Sequence, residues 1–296
     1  YLKIKNMSLN IVVLAKQVPD TRNVGKDAMK ADGTVNRAAL PAIFNPEDLN
    51  ALEQALRLKD KYKGSTVSVL TMGPIRAAEI IRESLYRGAD EGYLLSGREF
   101  AGSDTLATSY ALSCAINNME KVDLIICGRQ AIDGDTAQVG PQVAEKLGLP
   151  QITYAEEILE VKDKKIQVKR RLENGIEKVE GSLPLLVTVN GTAAECRPRH
   201  AKLTMKYKHA KTQTEKQEVG SDYIEMYDCC PYLNITEWSV SDIEHDPKWL
   251  GLKGSLTKVK KIENVVFTAK ESKKLSASDA DIENLMKELI ANHSIA

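Results

Sequence analysis

The sequence lacks the short motifs that mark several common classes of enzyme and of nucleotide-binding or calcium-binding site. It contains no G-x-G-x-x-G fingerprint, no G-x-x-x-x-G-K-[ST] phosphate loop, and no H-E-x-x-H, G-x-S-x-G or calcium-loop pattern. Its four histidines, His200, His209, His245 and His293, all lie in the C-terminal third. The first half therefore offers no histidine as a general base. Together with the missing fingerprint, this disfavours an NAD-dependent dehydrogenase that works alone.

Cysteine is scarce, and its spacing fits neither a disulfide framework nor a zinc site. The five cysteines are odd in number and form no C-x-x-C pair. We therefore expect free thiols in a reducing intracellular compartment, and no metal site.

The chain also lacks an excess of charge and any long apolar run. The 41 basic and 41 acidic residues cancel, so no net field attracts nucleic acid or an anionic membrane. No apolar stretch approaches the roughly 18–20 residues that span a bilayer, and no signal-peptide pattern is present. We expect a cytoplasmic location without membrane insertion. Met7 would make a natural start, with residues 1–6 as a vector-derived or upstream extension.

What the sequence does contain, over residues 9–150, is an alternation of strand and helix patterns. The predicted strands are the short apolar runs at 9–14, 66–71, 92–95 and 124–127. Asn45-Pro46 predicts a helix start, with Asn45 as N-cap and proline at the first helical position, and Asp104 is predicted to cap a later helix. Repeated β-loop-α units predict an α/β fold with a mostly parallel, doubly wound sheet.

The pattern changes after Pro150. Strand-like pieces separated by polar turns, at 158–161, 166–171 and 176–179, predict antiparallel hairpins, and 185–189 predicts a last buried strand. From Gly191 to about residue 270 the chain is polar and irregular, and Ser278 then caps an amphipathic helix. Such a long stretch with a weak core pattern favours an arm that packs on a partner chain.

The most informative segment, residues 124–141, reads as strand, polar loop and helix N-terminus. That geometry presents free backbone N–H groups to an anion, at the sheet edge where ligands of open α/β sheets bind. Asp133 and Asp135 would repel a diphosphate, so we expect them to accept hydrogen bonds from sugar or ribityl hydroxyls, or to cap the helix. Thr136 and Gln138 would then meet the phosphates. The alternative is a capped surface loop without a ligand.

A basic stretch covers residues 197–216. With a single aromatic residue and no net charge on the chain, a solvated face is favoured over nucleic-acid binding. A third, intermediate interpretation is a docking surface for an acidic protein partner.

These motifs resemble the β subunit of electron transfer flavoproteins over residues 8–296. The resemblance rests on residues 13–21, 45–46, 72–74 and 104–109, and above all on 128–141. It implies an adenine-nucleotide-binding type α/β core at 8–190, a partner-recognition loop at 191–215 and a C-terminal arm at 216–296 that embraces an α subunit. The recognition residues that it implies are Arg197, Pro198, Arg199, Leu203 and Met205.

The resemblance and the loop pattern together predict a cofactor site. Its residues are Ala15, Lys16, Asn45, Thr71, Met72, Gly73, Asp104, Thr105, Thr108, Gly128, Arg129, Ala131, Asp133, Gly134, Asp135, Thr136, Ala137, Gln138, Val139 and Gly140. No catalytic residue is assigned, because in such proteins the cofactor carries the chemistry. Arg129 would either place a positive charge near a flavin or form an ordinary salt bridge.

The family divides according to what this site holds. In one group it holds a structural AMP. In the flavin-bifurcating group it holds an FAD that accepts hydride from NADH. One electron then goes to ferredoxin or flavodoxin, and the other passes through the α-subunit FAD to an acyl-CoA dehydrogenase-type enzyme. Residues 17–21, 104–109 and 133–141 resemble the bifurcating group, so FAD is expected, with AMP as the alternative and NADH oxidation expected only with the α subunit. A regulatory adenine-nucleotide-binding module is a second alternative, although such compact modules lack the long arm and the basic loop.

Overall fold

The computed structural model describes residues 8–20, 41–217, 224–258, 272, 274–292 and 294. The strands are β1 (Asn10–Leu14), β2 (Gln17–Pro19), β3 (Ala42–Phe44), β4 (Thr66–Met72), β5 (Glu91–Leu95), β6 (Leu124–Gly128), β7 (Gln151–Lys162), β8 (Lys165–Leu172), β9 (Gly175–Ser182), β10 (Leu185–Val189) and β11 (Thr236–Trp238). The α-helices are α1 (Pro46–Lys61), α2 (Ala78–Arg87), α3 (Thr105–Asn117), α4 (Val139–Lys146), α5 (Ala201–Tyr207), α6 (Gln213–Gln217), α7 (Ile224–Cys229), α8 (Gly251–Gly254) and α9 (Asp279–Ala291).

A nine-stranded sheet in the order β11-β5-β4-β1-β6-β10-β7-β8-β9 organises the fold. Neighbours from β11 to β7 are parallel, whereas β7, β8 and β9 pair antiparallel. The predicted fold class, a mostly parallel sheet with added antiparallel hairpins, is thereby confirmed.

Helices cover both faces of the sheet, as predicted for a doubly wound arrangement. Ile11 and Val13 point into the core shared with α1 and α2, and Val12 and Leu14 point into the core shared with α3 and α4. The central strands β6 and β10 are buried along their whole length, which is why they read as continuous apolar runs rather than alternating ones.

A side-chain cap explains the start of α3, whereas the side chain of Asn45 at the start of α1 acts differently from the prediction. The Asp104 carboxylate accepts a hydrogen bond from Ala107 N at 3.0 Å and so caps α3. Asn45 occupies the N-cap position of α1 but makes no side-chain capping bond. Its amide instead donates to Gln130 O at 2.9 Å and accepts from Ile132 N at 3.2 Å. The predicted helix start and N-cap position are confirmed, but the side chain forms no capping bond because it serves a distant loop.

Two small strand pairings carry no signal in the sequence. The segment 17–19 pairs antiparallel with 42–44 and buries Val18. Three-residue β11 adds to the edge of β5, where the rings of Trp238 and Tyr93 lie 4.7 Å apart between centroids. Strands this short show no period that a sequence pattern can reveal.

Much of the segment 224–258 packs on the sheet and its helices. Tyr227, Leu233 and Ile235 join one core, and Ile243 and Leu250 join the other. Further along, α9 begins as predicted with Ser278 as N-cap, and its apolar residues Ile282, Leu285, Met286 and Ile290 are exposed. Within the described residues, no helix has the length and apolar character needed to cross a membrane.

Candidate functional site

A cavity of about 690 Å³ lies at the carboxyl ends of β1, β4 and β6. It is lined by Leu14, Ala15, Lys16, Asp48, Leu70, Met72, Phe100, Gly102, Ser103, Asp104, Thr105, Thr108, Leu112, Cys127, Gly128, Arg129, Gln130, Ala131, Gly134, Asp135, Thr136, Ala137, Gln138, Val139, Gly140 and Thr257. All the residues that the sequence predicts for a cofactor site line this cavity except Asn45, Thr71, Gly73 and Asp133. Parallel strands bring their following loops to one edge, which explains the convergence.

Asn45 and Asp133 support the cavity wall rather than forming it. Asn45 holds the backbone of the loop after β6 from beneath through Gln130 and Ile132. Both carboxylate oxygens of Asp133 accept from Lys16 Nζ, at 2.8 and 2.9 Å. This ion pair joins the loop after β1 to the loop after β6. Asp133 is therefore engaged by a side chain of the protein itself, instead of standing free for ligand hydroxyls.

The other two exceptions lie beside the cavity. Thr71 is fully buried in β4, and Gly73 lines a neighbouring cavity of about 530 Å³ that shares Met72 and Phe100 with the first.

The loop between β6 and α4 adopts a strained backbone. Asp135 and Ala137 have φ values of 49° and 52°, in the left-handed region that non-glycine residues rarely adopt. Each such residue costs on the order of 1 kcal/mol or more, and the conformation persists only where surrounding contacts determine it. Here the contacts include Gln130, whose amide donates to Asp135 Oδ1 at 3.0 Å. Neither aspartate caps α4, whose N-cap position is occupied by Gln138.

Two carboxylates at the start of α1 tie the strand ends together. Asp48 accepts from Lys16 N at 2.9 Å and from Gly128 N at 3.0 Å, so it joins the ends of β1 and β6. Glu47 accepts from Gln130 N at 2.9 Å. From the sequence alone, Glu47 and Asp48 are expected only to interact with the dipole of α1, because they lie in its first turn. Gly128 was the one sequence signal for the contact with Asp48, because only glycine lets the backbone of β6 come so close to this carboxylate.

Asp48 is a nearly buried ionisable group in the floor of the cavity. Burial raises the pKa of its carboxyl to about 7, although hydrogen bonds from Lys16, Asn45 and Gly128 oppose this rise. Near neutral pH, Asp48 thus gains or loses a proton within the cavity. Neighbouring Cys127 does not, since burial raises the pKa of its thiol far above neutrality.

The cations in the described lining are paired with carboxylates. Arg129 Nη2 lies 3.1 Å from Glu47 Oε1, and its guanidinium carbon lies 5.8 Å from the centroid of the Tyr154 ring. The hydrogen bond that Arg129 donates to Glu47 raises the pKa of the guanidinium, so Arg129 stays charged. Lys16 is likewise paired, with Asp133 at 2.8 Å, so a carboxylate of the chain already balances each cation of the described lining.

The opposite wall combines polar and apolar side chains. Thr105 Oγ1 donates to Gln138 Oε1 at 2.9 Å and so links the first turn of α3 to the start of α4. Leu14, Leu70, Met72, Phe100 and Leu112 supply the apolar part. Such a mixture suits a ligand that has a flat apolar ring as well as polar groups. The described residues contain no cluster of side chains suited to a metal ion.

Of the residues predicted to recognise partners, the two arginines are paired with carboxylates of the core, and the apolar residues differ in exposure. Arg197 Nε lies 2.9 Å from Glu53 of α1, and Arg199 Nε donates to Glu83 of α2 at 2.9 Å. These arginines therefore attach the segment to the core. Met205 on α5 is 64% exposed and Pro198 is exposed, whereas Leu203 is half-buried against the core.

Comparison with known proteins identifies the family of this chain. The model of the electron transfer flavoprotein domain matches residues 32–219. The chain belongs to the electron transfer flavoprotein family. It is 44% identical over 260 residues to "Electron transfer flavoprotein subunit beta" of Megasphaera elsdenii, covering 86% of this chain and 87% of the relative. The chain is therefore of the β type, and an electron-transfer role follows.

Two further relatives belong to named reductase systems. The "Caffeyl-CoA reductase-Etf complex subunit CarD" of Acetobacterium woodii is 53% identical over 180 residues, which cover 61% of this chain and 68% of the relative. The "Acryloyl-CoA reductase electron transfer subunit gamma" of Anaerotignum propionicum is 53% identical over 182 residues, which cover 61% and 67%. The relatives of this chain thus include subunits that are named for CoA reductase systems.

Proposed function

We propose that this chain is the β subunit of a flavin-bifurcating electron transfer flavoprotein, with FAD in the cavity at the ends of β1, β4 and β6. When bound, FAD would accept a hydride from NADH and pass on single electrons. One route would lead to ferredoxin or flavodoxin, and the other through an α-subunit FAD to an acyl-CoA dehydrogenase-type enzyme. The reductase names of two relatives support this direction.

The observation that carries the proposal is the size and lining of the cavity. Its volume of about 690 Å³ lies in the upper half of the range of about 300–1,000 Å³ typical of ligand pockets. Backbone N–H groups and the hydroxyls of Thr105, Thr108 and Thr136 suit phosphates and a ribityl chain. The apolar wall around Leu70 and Phe100 suits a ring system. AMP in the same cavity is the alternative, and it would use the polar part alone.

The chain's own groups would act by position and charge. Arg129, paired with Glu47, would hold a positive charge at the strand end. Asp48 would hold or release a proton in the floor of the cavity. The strained loop at Asp135 and Ala137 would keep its backbone N–H groups fixed toward the ligand.

Contacts with other chains complete the proposal. The core at 8–190 would bind the cofactor, and the arm at 216–296 would pack on the α subunit, covering the exposed apolar residues of α9. The segment 191–215 would present Leu203 and Met205 to a dehydrogenase. A cytoplasmic location is part of this proposal.

Counting the ligands tests the proposal directly. The chain should be coproduced with its α subunit, and the nucleotides released from the purified complex should be separated and quantified. Two FAD per heterodimer are expected. One FAD with one AMP would contradict bifurcation and favour the alternative. Failure to bind any α-type subunit would contradict the subunit role itself and favour a regulatory nucleotide-binding module.

A further inference from the structure

The segment from Leu250 to Thr257, called the strap below, reaches the wall of the cavity at its last residue. Leu250 and Ser255 are buried, whereas Leu256 and Thr257 are exposed. Thr257 nevertheless lines the cavity, although the other wall residues belong to the first half of the chain. The strap therefore adds a late part of the sequence to a site built by early loops.

The base of the strap is fixed by close packing. Gly251 has a φ of +55°, and a Cβ there would lie 2.2 Å from Glu99 O. At Gly102, a Cβ would lie 2.7 Å from the side chain of Leu252. Ser255 Oγ donates to Gly251 O at 2.7 Å and accepts from Asp104 N at 2.9 Å. Since both glycines admit no larger residue without a shift, the base has one position against the turn that precedes α3.

The end of the strap is held by a single carboxylate. Thr257 N and Thr257 Oγ1 each donate to Asp104 Oδ2 at 2.9 Å. The other oxygen of Asp104 caps α3 through Ala107 N. Burial raises the pKa of Asp104, but the bonds from Ala107 and Thr257 outweigh it and hold the pKa below its usual range, so the carboxylate stays charged.

We propose that the strap is a gate of the cavity and that the Asp104–Thr257 contact is its latch. With the latch formed, Thr257 closes one side of the nucleotide pocket. With the latch released, the end of the strap moves away from its fixed base and the ligand leaves. The inference rests on the proposed function, since it requires a nucleotide in this cavity. Hydrogen bonds at an exposed rim exchange readily with water, which makes them suitable for a contact that opens and closes.

Substitution at the latch tests the gate. Thr257→Val keeps the side-chain shape and the backbone donor but removes the Oγ1 donor, whereas Thr257→Ser keeps the hydroxyl. Thr236→Val, at an exposed position on β11, is the matched control. The full chain would be loaded with FAD or with fluorescent etheno-AMP and chased with excess unlabelled nucleotide. Loss of one bond to a charged acceptor at a solvated site is expected to speed dissociation about fivefold in Thr257→Val alone.

The outcomes separate the gate from the proposed function. Dissociation that is equally fast in Thr257→Val and the unaltered chain would overturn the gate, as would an equal acceleration in Thr236→Val. If the unaltered chain holds neither nucleotide, the proposed function fails instead. Unfolding midpoints must match among the variants, and Thr257→Ala provides a second variant that also lacks the hydroxyl.

Discussion

Asp48 Oδ1 accepts a hydrogen bond of 3.0 Å from Gly128 N, and this bond joins the first turn of α1 to the end of β6. The same carboxylate holds Lys16 N at the end of β1. A helix start thereby fixes the spacing of two strand ends at the floor of the cavity. Two consequences can be measured, one steric and one electrostatic.

Gly128→Ala is expected to destabilise the fold. A Cβ at this position would lie 2.4 Å from Asp48 Oδ1 and 2.8 Å from the backbone carbon of Glu47, so α1 must shift. Overpacking of this kind costs about 2–3 kcal/mol. Urea unfolding measures the loss. Gly134→Ala is the matched control in the same loop region, because a Cβ there meets nothing within 4 Å. Equal midpoints for the two variants would contradict the steric account.

Asp48→Asn is expected to remove part of the pH dependence of stability. The pKa of Asp48 is raised from 3.8 to about 7 in the folded chain, so the folded state binds the proton more tightly than the unfolded state does. This contribution is fully present below about pH 4 and is lost as the pH rises to about 7, a change on the order of 4 kcal/mol. The unaltered chain should therefore lose stability across that range relative to Asp48→Asn.

A control of opposite sign is available at the surface. Hydrogen bonds from Ser239 lower the pKa of Asp242, so its contribution is lost only when the pH falls through that lowered pKa. Asp242→Asn should follow the unaltered chain between pH 4 and 7. If Asp48→Asn also follows it, Asp48 does not titrate in that interval.

The sheet and its loops could be predicted because their signals are local. Strands such as β6 are continuous apolar runs, and Asp104 sits immediately before the helix that it caps. The direction of the loops followed from the parallel arrangement. For this reason most of the predicted cofactor residues do line one cavity.

The remaining features depend on contacts between distant parts of the chain. Nothing near Asn45 indicates that its amide serves the loop at Gln130, and nothing near Thr257 indicates a place in the cavity wall. Arg197 reads as a free cation in the sequence, yet it is paired with a carboxylate of α1. Hydrogen bonds and ion pairs of this kind leave no periodicity, whereas buried apolar faces do.

The recognition segment yields a prediction that separates attachment from partner contact. Arg197→Ala should lower stability by about 1–2 kcal/mol, because it leaves Glu53, whose side chain is 7% exposed, without one of its charged partners. Met205→Ala should leave stability unchanged and slow electron transfer to a partner dehydrogenase. Thermal unfolding and the transfer rate measure the two effects. Lys202→Ala, at an exposed position on the same helix, is the control. A full loss of transfer in Arg197→Ala at unchanged stability would mean that Arg197 contacts the partner itself.

Arg129 gives a prediction about the flavin that we propose for the cavity. Arg129 lines the cavity, and its guanidinium is held 3.1 Å from Glu47, so its charge is fixed in place. A fixed positive charge favours the reduced anionic form of a flavin. Arg129→Gln should therefore lower the midpoint potential of the cavity flavin by about 30 mV, which corresponds to roughly 1.4 kcal/mol for a two-electron couple.

The control is Arg129→Lys, which keeps the positive charge and is expected to leave the midpoint potential nearly unchanged. Spectroelectrochemical titration of the α-containing complex measures it, and the flavin of the α subunit serves as an internal reference. Unchanged potentials in Arg129→Gln would reduce Arg129 to a structural partner of Glu47.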